Sequence, residues 1–209
     1  MPLRLLPFLL VVFATLTSCE PNDTLPILSK EENAEGQTVY KTIPDFAFIN
    51  QDSQLVTPAT FEGKAYIADF FFTSCPTICP IMAQNMRGLY EAYADEPRLA
   101  FLSHTIDPAR DTVAKLKHYA INLGVEDERW HFVTGHKDSL YAIADDYFNV
   151  VVEDPTLPDG FDHSGRFVLI DPRGYIRSYC NGTRADEVEV FKNDIENLLH
   201  EMEDPSAAH

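Results

Sequence analysis

The run Ala65-Tyr66-Ile67-Ala68-Asp69-Phe70-Phe71-Phe72 limits the possible folds of this chain more than any other feature. It is nearly continuous in apolar character and sits between Gly63-Lys64 and Thr73-Ser74. A strand without apolar–polar alternation is buried on both faces, and such strands lie inside sheets covered by helices on each side. The next segments agree with this. Met82, Met86, Leu89 and Tyr93 recur at the three- and four-residue spacing of a helix with one buried face. Arg98–Ile106, with Leu-Ala-Phe-Leu at its centre, reads as a second buried strand, broken by Asp107-Pro108.

Asp111 or Thr112 can cap the following helix, which carries Val113, Leu116, Ala120 and Leu123 on one face and ends at Gly124. Trp130–Val133 is a short strand. Asp138 or Ser139 caps a helix with Leu140, Ile143, Ala144 and Tyr147 facing inward. Pro44 to Ile49 is a short apolar opening stretch, and residues 153–162 are a turn-rich loop. Arg166–Ile170 is a strand, Asp171-Pro172-Arg173-Gly174 a turn, and Tyr175–Tyr179 the returning strand. A last helix spans about Ala185 to Met202, with Val188, Phe191, Ile195, Leu198 and Met202 as its apolar stripe. Strand–helix alternation of this kind makes an α/β sheet with parallel crossovers. The order is that of a thioredoxin-like fold with an inserted strand–helix segment and a C-terminal β-hairpin plus helix.

The N-terminus reads as an address. Arg4 precedes an apolar run from Leu5 to Leu16, which is short for a membrane span and suits a secretory h-region. Leu16-Thr17-Ser18-Cys19 resembles a bacterial lipobox. Residues 1–18 are therefore expected to be a signal peptide and Cys19 a lipidated N-terminal residue; several acyl chains on one residue anchor stably. The polar residues 19–41 would be a flexible tether, 42–203 the folded domain and 204–209 a disordered tail. The domain would stand outside the cytoplasm in the bacterial cell envelope. The formal net charge of −17 repels phosphate backbones, which excludes nucleic acid as a main partner. It suits solubility and could attract a cation or a basic protein patch.

Four cysteines are too few for a disulfide scaffold and are read one by one. Cys75 and Cys79 lie just past the end of the central strand, where open α/β sheets place their ligands. Pro80 suits the start of a helix, which puts Cys79 at or near its cap. Four-residue spacing across a helical turn brings two side chains to roughly 5–6 Å between Cβ atoms, so both thiols can reach one metal ion or each other. The helix N-terminus favours the thiolate form. Soft thiolates select copper(I), and an added imidazole makes a site that also holds copper(II). His163, in Phe161-Asp162-His163-Ser164, stands in the loop that faces the pair in a thioredoxin-like layout. His104 is the reserve ligand, while His118, His131, His136, His200 and His209 read as surface or packing residues.

These residues resemble the Sco/SenC family of copper-binding assembly proteins over about residues 42–200. The most specific piece is Phe70-Phe71-Phe72-Thr73-Ser74-Cys75-Pro76-Thr77-Ile78-Cys79-Pro80; Asp107-Pro108-Ala109-Arg110-Asp111-Thr112, Trp130 with Thr134-Gly135, and Asp162-His163-Ser164 support it. The resemblance implies copper, Cu(I) or Cu(II), held by Cys75, Cys79 and His163. It also implies a role in assembling the copper A centre of cytochrome c oxidase subunit II, or in serving another periplasmic copper or thiol protein. The means would be copper delivery, reduction of target cysteines, or both, with Cys75 and Cys79 as the redox pair. The chain is thus expected to be a metallochaperone rather than an enzyme. Asp107 and Asp111 match the family's acidic motif and either touch a partner or support the site, or simply form a turn and a helix cap. Asp162 either orients the imidazole or ends the loop. Cys180 reads as a small residue at a strand end, or else as a reactive thiol. The alternative is an extracytoplasmic thiol–disulfide oxidoreductase or peroxidase-like protein. Against it stand three residues rather than two between the cysteines, and the absence of Pro from Asp162-His163-Ser164-Gly165. A haem or zinc module lacks its ligand pattern.

Overall fold

The computed structural model describes residues 24–153 and 161–203; for residues 152, 153 and 161–163 it describes the backbone alone. β1 (Lys30–Glu32) and β2 (Thr38–Tyr40) form a small antiparallel hairpin, and β3 (Phe48–Asn50) and β4 (Leu55–Val56) another. The body follows as β5 (Ala65–Phe71), α1 (Cys79–Ala92), β6 (Leu99–Thr105), α2 (Val113–Leu123), β7 (Trp130–Thr134) and α3 (Lys137–Asp146). A two-strand ladder of β8 (Val151–Glu153) and β9 (Phe161–His163) precedes β10 (Arg166–Ile170), β11 (Ile176–Asn181) and α4 (Ala185–Glu203).

Among the described residues seven strands make the main sheet, in the order β11-β10-β5-β6-β7-β3-β4. β5, β6 and β7 run parallel, joined by α1 and α2, whereas β10 and β11 add an antiparallel hairpin beside β5. All seven residues of β5 and all seven of β6 are buried, as the unalternating pattern requires. The register assigns the faces. Ile67, Phe101, Leu169 and Ser178 share one face, where Tyr90 of α1 meets Phe101 and Ser178 Oγ donates to Asp194 of α4. Tyr119 of α2 stacks on Phe71 of that same face. Tyr66, Phe70 and His104 point the other way, toward Tyr147 at the end of α3 and toward Phe46 and Phe48.

The expected elements are present, with local differences. Thr112 rather than Asp111 caps α2, its Oγ1 accepting from Lys115 N at 3.4 Å, and Gly124 ends that helix at φ 75°. α3 starts after His136, ahead of Asp138 and Ser139. His163 lies in a short strand paired with β8 rather than in an open loop. Residues 25–43, expected in large part as a tether, run along the domain. Leu28 N donates to Ile176 O at 2.8 Å, Ile43 N to Gly174 O at 2.8 Å and Leu25 N to Glu201 Oε1 at 2.5 Å. The reason is Arg177, a buried guanidinium on β11 that donates to the carbonyls of Leu25 and Pro26 and pairs with Asp171 and Glu201. Buried charge must be paired and hydrogen-bonded, and this segment supplies two of the acceptors. Cys19 and the tail 204–209 lie outside the described residues.

Candidate metal centre

Parallel pairing carries β5 to the sheet end at which the chain leaves it toward α1. Cys75 N donates to Phe72 O at 3.2 Å, which turns the chain back over the sheet. α1 opens at Cys79 with Ile78 as its cap residue and Pro80 in its first turn, so Cys79 is the first helical residue. Its backbone N–H donates to Cys75 Sγ at 3.4 Å, and Thr77 Oγ1 lies 3.5 Å from the same sulfur. The helix terminus therefore serves Cys75. Cys79 is different: its thiol donates to the Cys75 sulfur, and that hydrogen bond, with burial second, raises its pKa well above the ordinary thiol value. The helix N-terminus was expected to favour thiolate at the pair as a whole. At Cys79 the hydrogen bond to Cys75 and burial outweigh that effect. Cys75 and Cys79 are 7% and 2% exposed and are not joined by a disulfide.

Asp111 holds this loop. Its carboxylate, 0% exposed, accepts from Thr73 N at 3.1 Å, Thr73 Oγ1 at 2.5 Å and Thr105 Oγ1 at 2.6 Å, with Lys115 Nζ at 3.3 Å. It ties the strand ends of β5 and β6 to α2, which is more than the helix cap that Asp-Thr suggests. Asp107 behaves as the turn reading expects: its carbonyl accepts from Arg110 N and Asp111 N, and its carboxylate pairs with Arg110 Nε at 2.5 Å.

Asp69 is the group that sequence reasoning passed over. It faces Ser103 across β5 and β6, accepts a hydrogen bond from it, and leaves Oδ1 without a partner. Burial pushes its pKa up to about 7. Ser103 Oγ in turn accepts from Trp130 Nε1 at 2.9 Å. The Asp69 charge raises the pKa of Cys79 slightly, and together with the Cys pair it adds to the burial that raises Tyr119, so pair, carboxylate and phenol share the α1–α2 face. The signal was available, since Asp69 is the single acidic residue inside an apolar run.

His104 is excluded as a reserve ligand. It is fully buried on the opposite face, stacked on Phe70 at 4.7 Å between ring centroids, with burial lowering its pKa to about 3. His118, His136 and His200 are exposed, and His131 is buried with Asn50 Nδ2 3.1 Å from its Nδ1. The side chains of Asp162 and His163 lie outside the described residues, but the backbone that follows them is informative. Gly165 lies against the first turns of α1: a Cβ there would meet Ile78 Cδ1 and Met82 Sδ at 3.3 Å and Thr183 Cγ2 at 3.0 Å. Ser164 N donates to Val150 O, and Ser164 Oγ to Asn149 Oδ1 at 2.9 Å. The segment carrying His163 is thus pinned beside the helix that begins at Cys79. Among the described residues no three His, Cys, Asp or Glu side chains gather for a metal. Cys180 is a buried core thiol on β11, its pKa raised to about 12 by burial first and by Glu187 and Asp194 next.

A family model for SCO1/SenC matches residues 34–200. The chain belongs to the SCO1/SenC family. Solved SCO1/SenC structures share its thioredoxin-like α/β fold. A SCO1/SenC family lipoprotein from Bacillus anthracis str. Ames superposes with a TM-score of 0.69 at 27% identity, over 76% of this chain and 95% of that one. BsSco, described with a disulfide switch and as a member of the Sco family of cytochrome c oxidase assembly proteins, gives 0.64 at 28%, over 75% and 92%. Yeast Sco1 with copper bound gives 0.61 at 25%, over 75% and 87%.

Proposed function

We propose that this SCO1/SenC chain takes copper as cargo through Cys75, Cys79 and His163 and serves assembly of the copper A centre of cytochrome c oxidase subunit II. It does so outside the cytoplasm, held to an envelope membrane by lipid at Cys19. The observation that carries the reading is the pair itself: two buried sulfurs in hydrogen-bond contact at a helix N-terminus, on a loop locked by Asp111. Two soft sulfurs fit copper(I), and an imidazole from the pinned β9–β10 segment would extend the set to copper(II). Metal binding deprotonates thiols, so loading would release the proton that Cys79 shares with Cys75.

A second reading concerns the same pair. The contact between the sulfurs also suits thiol exchange with an oxidised target. Cys75 attacks the target disulfide and Cys79 then closes the internal bond; two electrons and two protons pass to the target cysteines. Both readings support the same assembly step.

Titrating the reduced chain lacking residues 1–18 with copper(I) and copper(II) tests the site. One equivalent should bind, with sulfur-to-copper charge transfer in the oxidised form. His163→Ala should weaken copper(II) most, and His104→Phe should leave the spectrum unchanged. An unaltered copper(II) spectrum in His163→Ala removes the third ligand from this reading. In the organism, normal copper A loading after deletion of the gene removes the assembly role.

A further inference from the structure

The segment after Cys19 does not leave the domain at an arbitrary point. Arg177, 4% exposed, donates to the carbonyls of Leu25 and Pro26 while paired with Asp171 at 3.2 Å and Glu201 at 2.7 Å. Leu28 N and Ser29 Oγ then engage both backbone groups of Ile176. A buried guanidinium that binds the carbonyls of an incoming segment is a fastening. It fixes the place where the chain toward Cys19 exits.

That place is the sheet end opposite the Cys pair. Antiparallel pairing of β10 with β5 sets Ile170 beside Tyr66, so the turn after Ile170 lies at the start of β5, whereas Cys75 follows its end. Six residues from Cys19 to Leu25 reach about 20 Å at full extension. The seven residues of β5 span about 23 Å. The exit end also bears exposed aromatic surface, with Tyr40 on the side of β2 that meets it and Val39 on the other. Val39 and Tyr40 are 40% and 51% exposed, Tyr40 packs edge-on against Tyr175, and Arg173 lies over the Tyr175 ring. Tyrosines with a wet end and an apolar body suit a headgroup region, and Arg173 beside them is paired with Asp171 at 2.9 Å.

We infer that the end of the sheet formed by the Arg177 fastening, Tyr40, Arg173 and Tyr175 is the face held against the lipid bilayer. The Cys pair is thereby presented away from the membrane at a nearly constant height. The partner of this face is the bilayer itself. The inference rests on the lipid anchor at Cys19 proposed above. It adds that the anchor orients the domain rather than merely retaining it.

The test uses the full chain, acylated at Cys19, in phosphatidylcholine nanodiscs that carry a nitroxide on the headgroup. Amide signals of 39–41 and 173–175 should broaden at least threefold more than those of 75–82 and of Ile121, an exposed apolar residue on α2. Inserting twelve Gly/Ser residues after Glu20 should abolish the contrast while leaving the chain on the disc. Uniform broadening, or broadening strongest around Cys75 or Ile121, in acylated protein overturns the inference and leaves the anchor standing. Mass spectrometry showing no acyl group on Cys19 overturns the anchor, and the membrane face with it.

Discussion

A carboxylate without exposed surface must be satisfied from inside, and Asp111 is satisfied by Thr73, Thr105 and Lys115. Asn at that position has one acceptor oxygen and brings two unwanted donors. Asp111→Asn is expected to lower stability by about 2–4 kcal/mol in urea unfolding, because one acceptor oxygen is lost beside the buried Thr105 and half-buried Thr73 and an amide donor replaces it. It should also weaken copper binding, since Thr73 lies two residues from Cys75. Asp69 sets a pH dependence. Folded, it keeps its proton up to about 7, against an ordinary value of 3.8. Between those values the folded state binds the extra proton, so stability falls as pH rises through that window. Asp69→Asn should flatten this slope, read as the difference between the two unfolding curves from pH 4 to pH 8.

At the scale of elements, the turn before α1 and the β9–β10 link would form two sides of the proposed copper site. Gly165 lets them approach. Gly165→Ala is expected to cost about 1–3 kcal/mol by overpacking against Thr183, Ile78 and Met82. It should reduce affinity for copper(II) more than for copper(I), because the link moves while the sulfurs stay. Titration with each ion checks this. The strands and helices of the body were legible because apolar run length and helical spacing dictate them, as in β5 and α4. The Cys pair was legible from its spacing and its following Pro. What escaped were features made by distant partners. Thr73 and Thr105 look ordinary until they meet Asp111, and His104 looked like a ligand because pattern alone does not say which face a buried His takes. β8 and β9 escaped because two three-residue strands leave little periodicity to detect.

For the whole molecule, the boundary expected near residue 42 divides the fold. Composition marks 24–41 as polar, yet its carbonyls complete a buried ion cluster around Arg177. A chain starting at Lys41 should therefore unfold at lower urea than one starting at Thr24, by at least about 2 kcal/mol, because Arg177 loses two acceptors and Leu25 and Leu28 no longer pack against the core. Equal midpoints would show that the segment is a passenger.

β11 is the last strand on its side of the sheet, and Leu28 and Ser29 occupy its beginning. A bare strand edge is a template onto which another copy can add its own, and repeated addition makes a polymer. A protease cutting before Lys30 would free Leu28 and Ser29 to leave Ile176, lengthening the bare edge to which a second copy could add a strand.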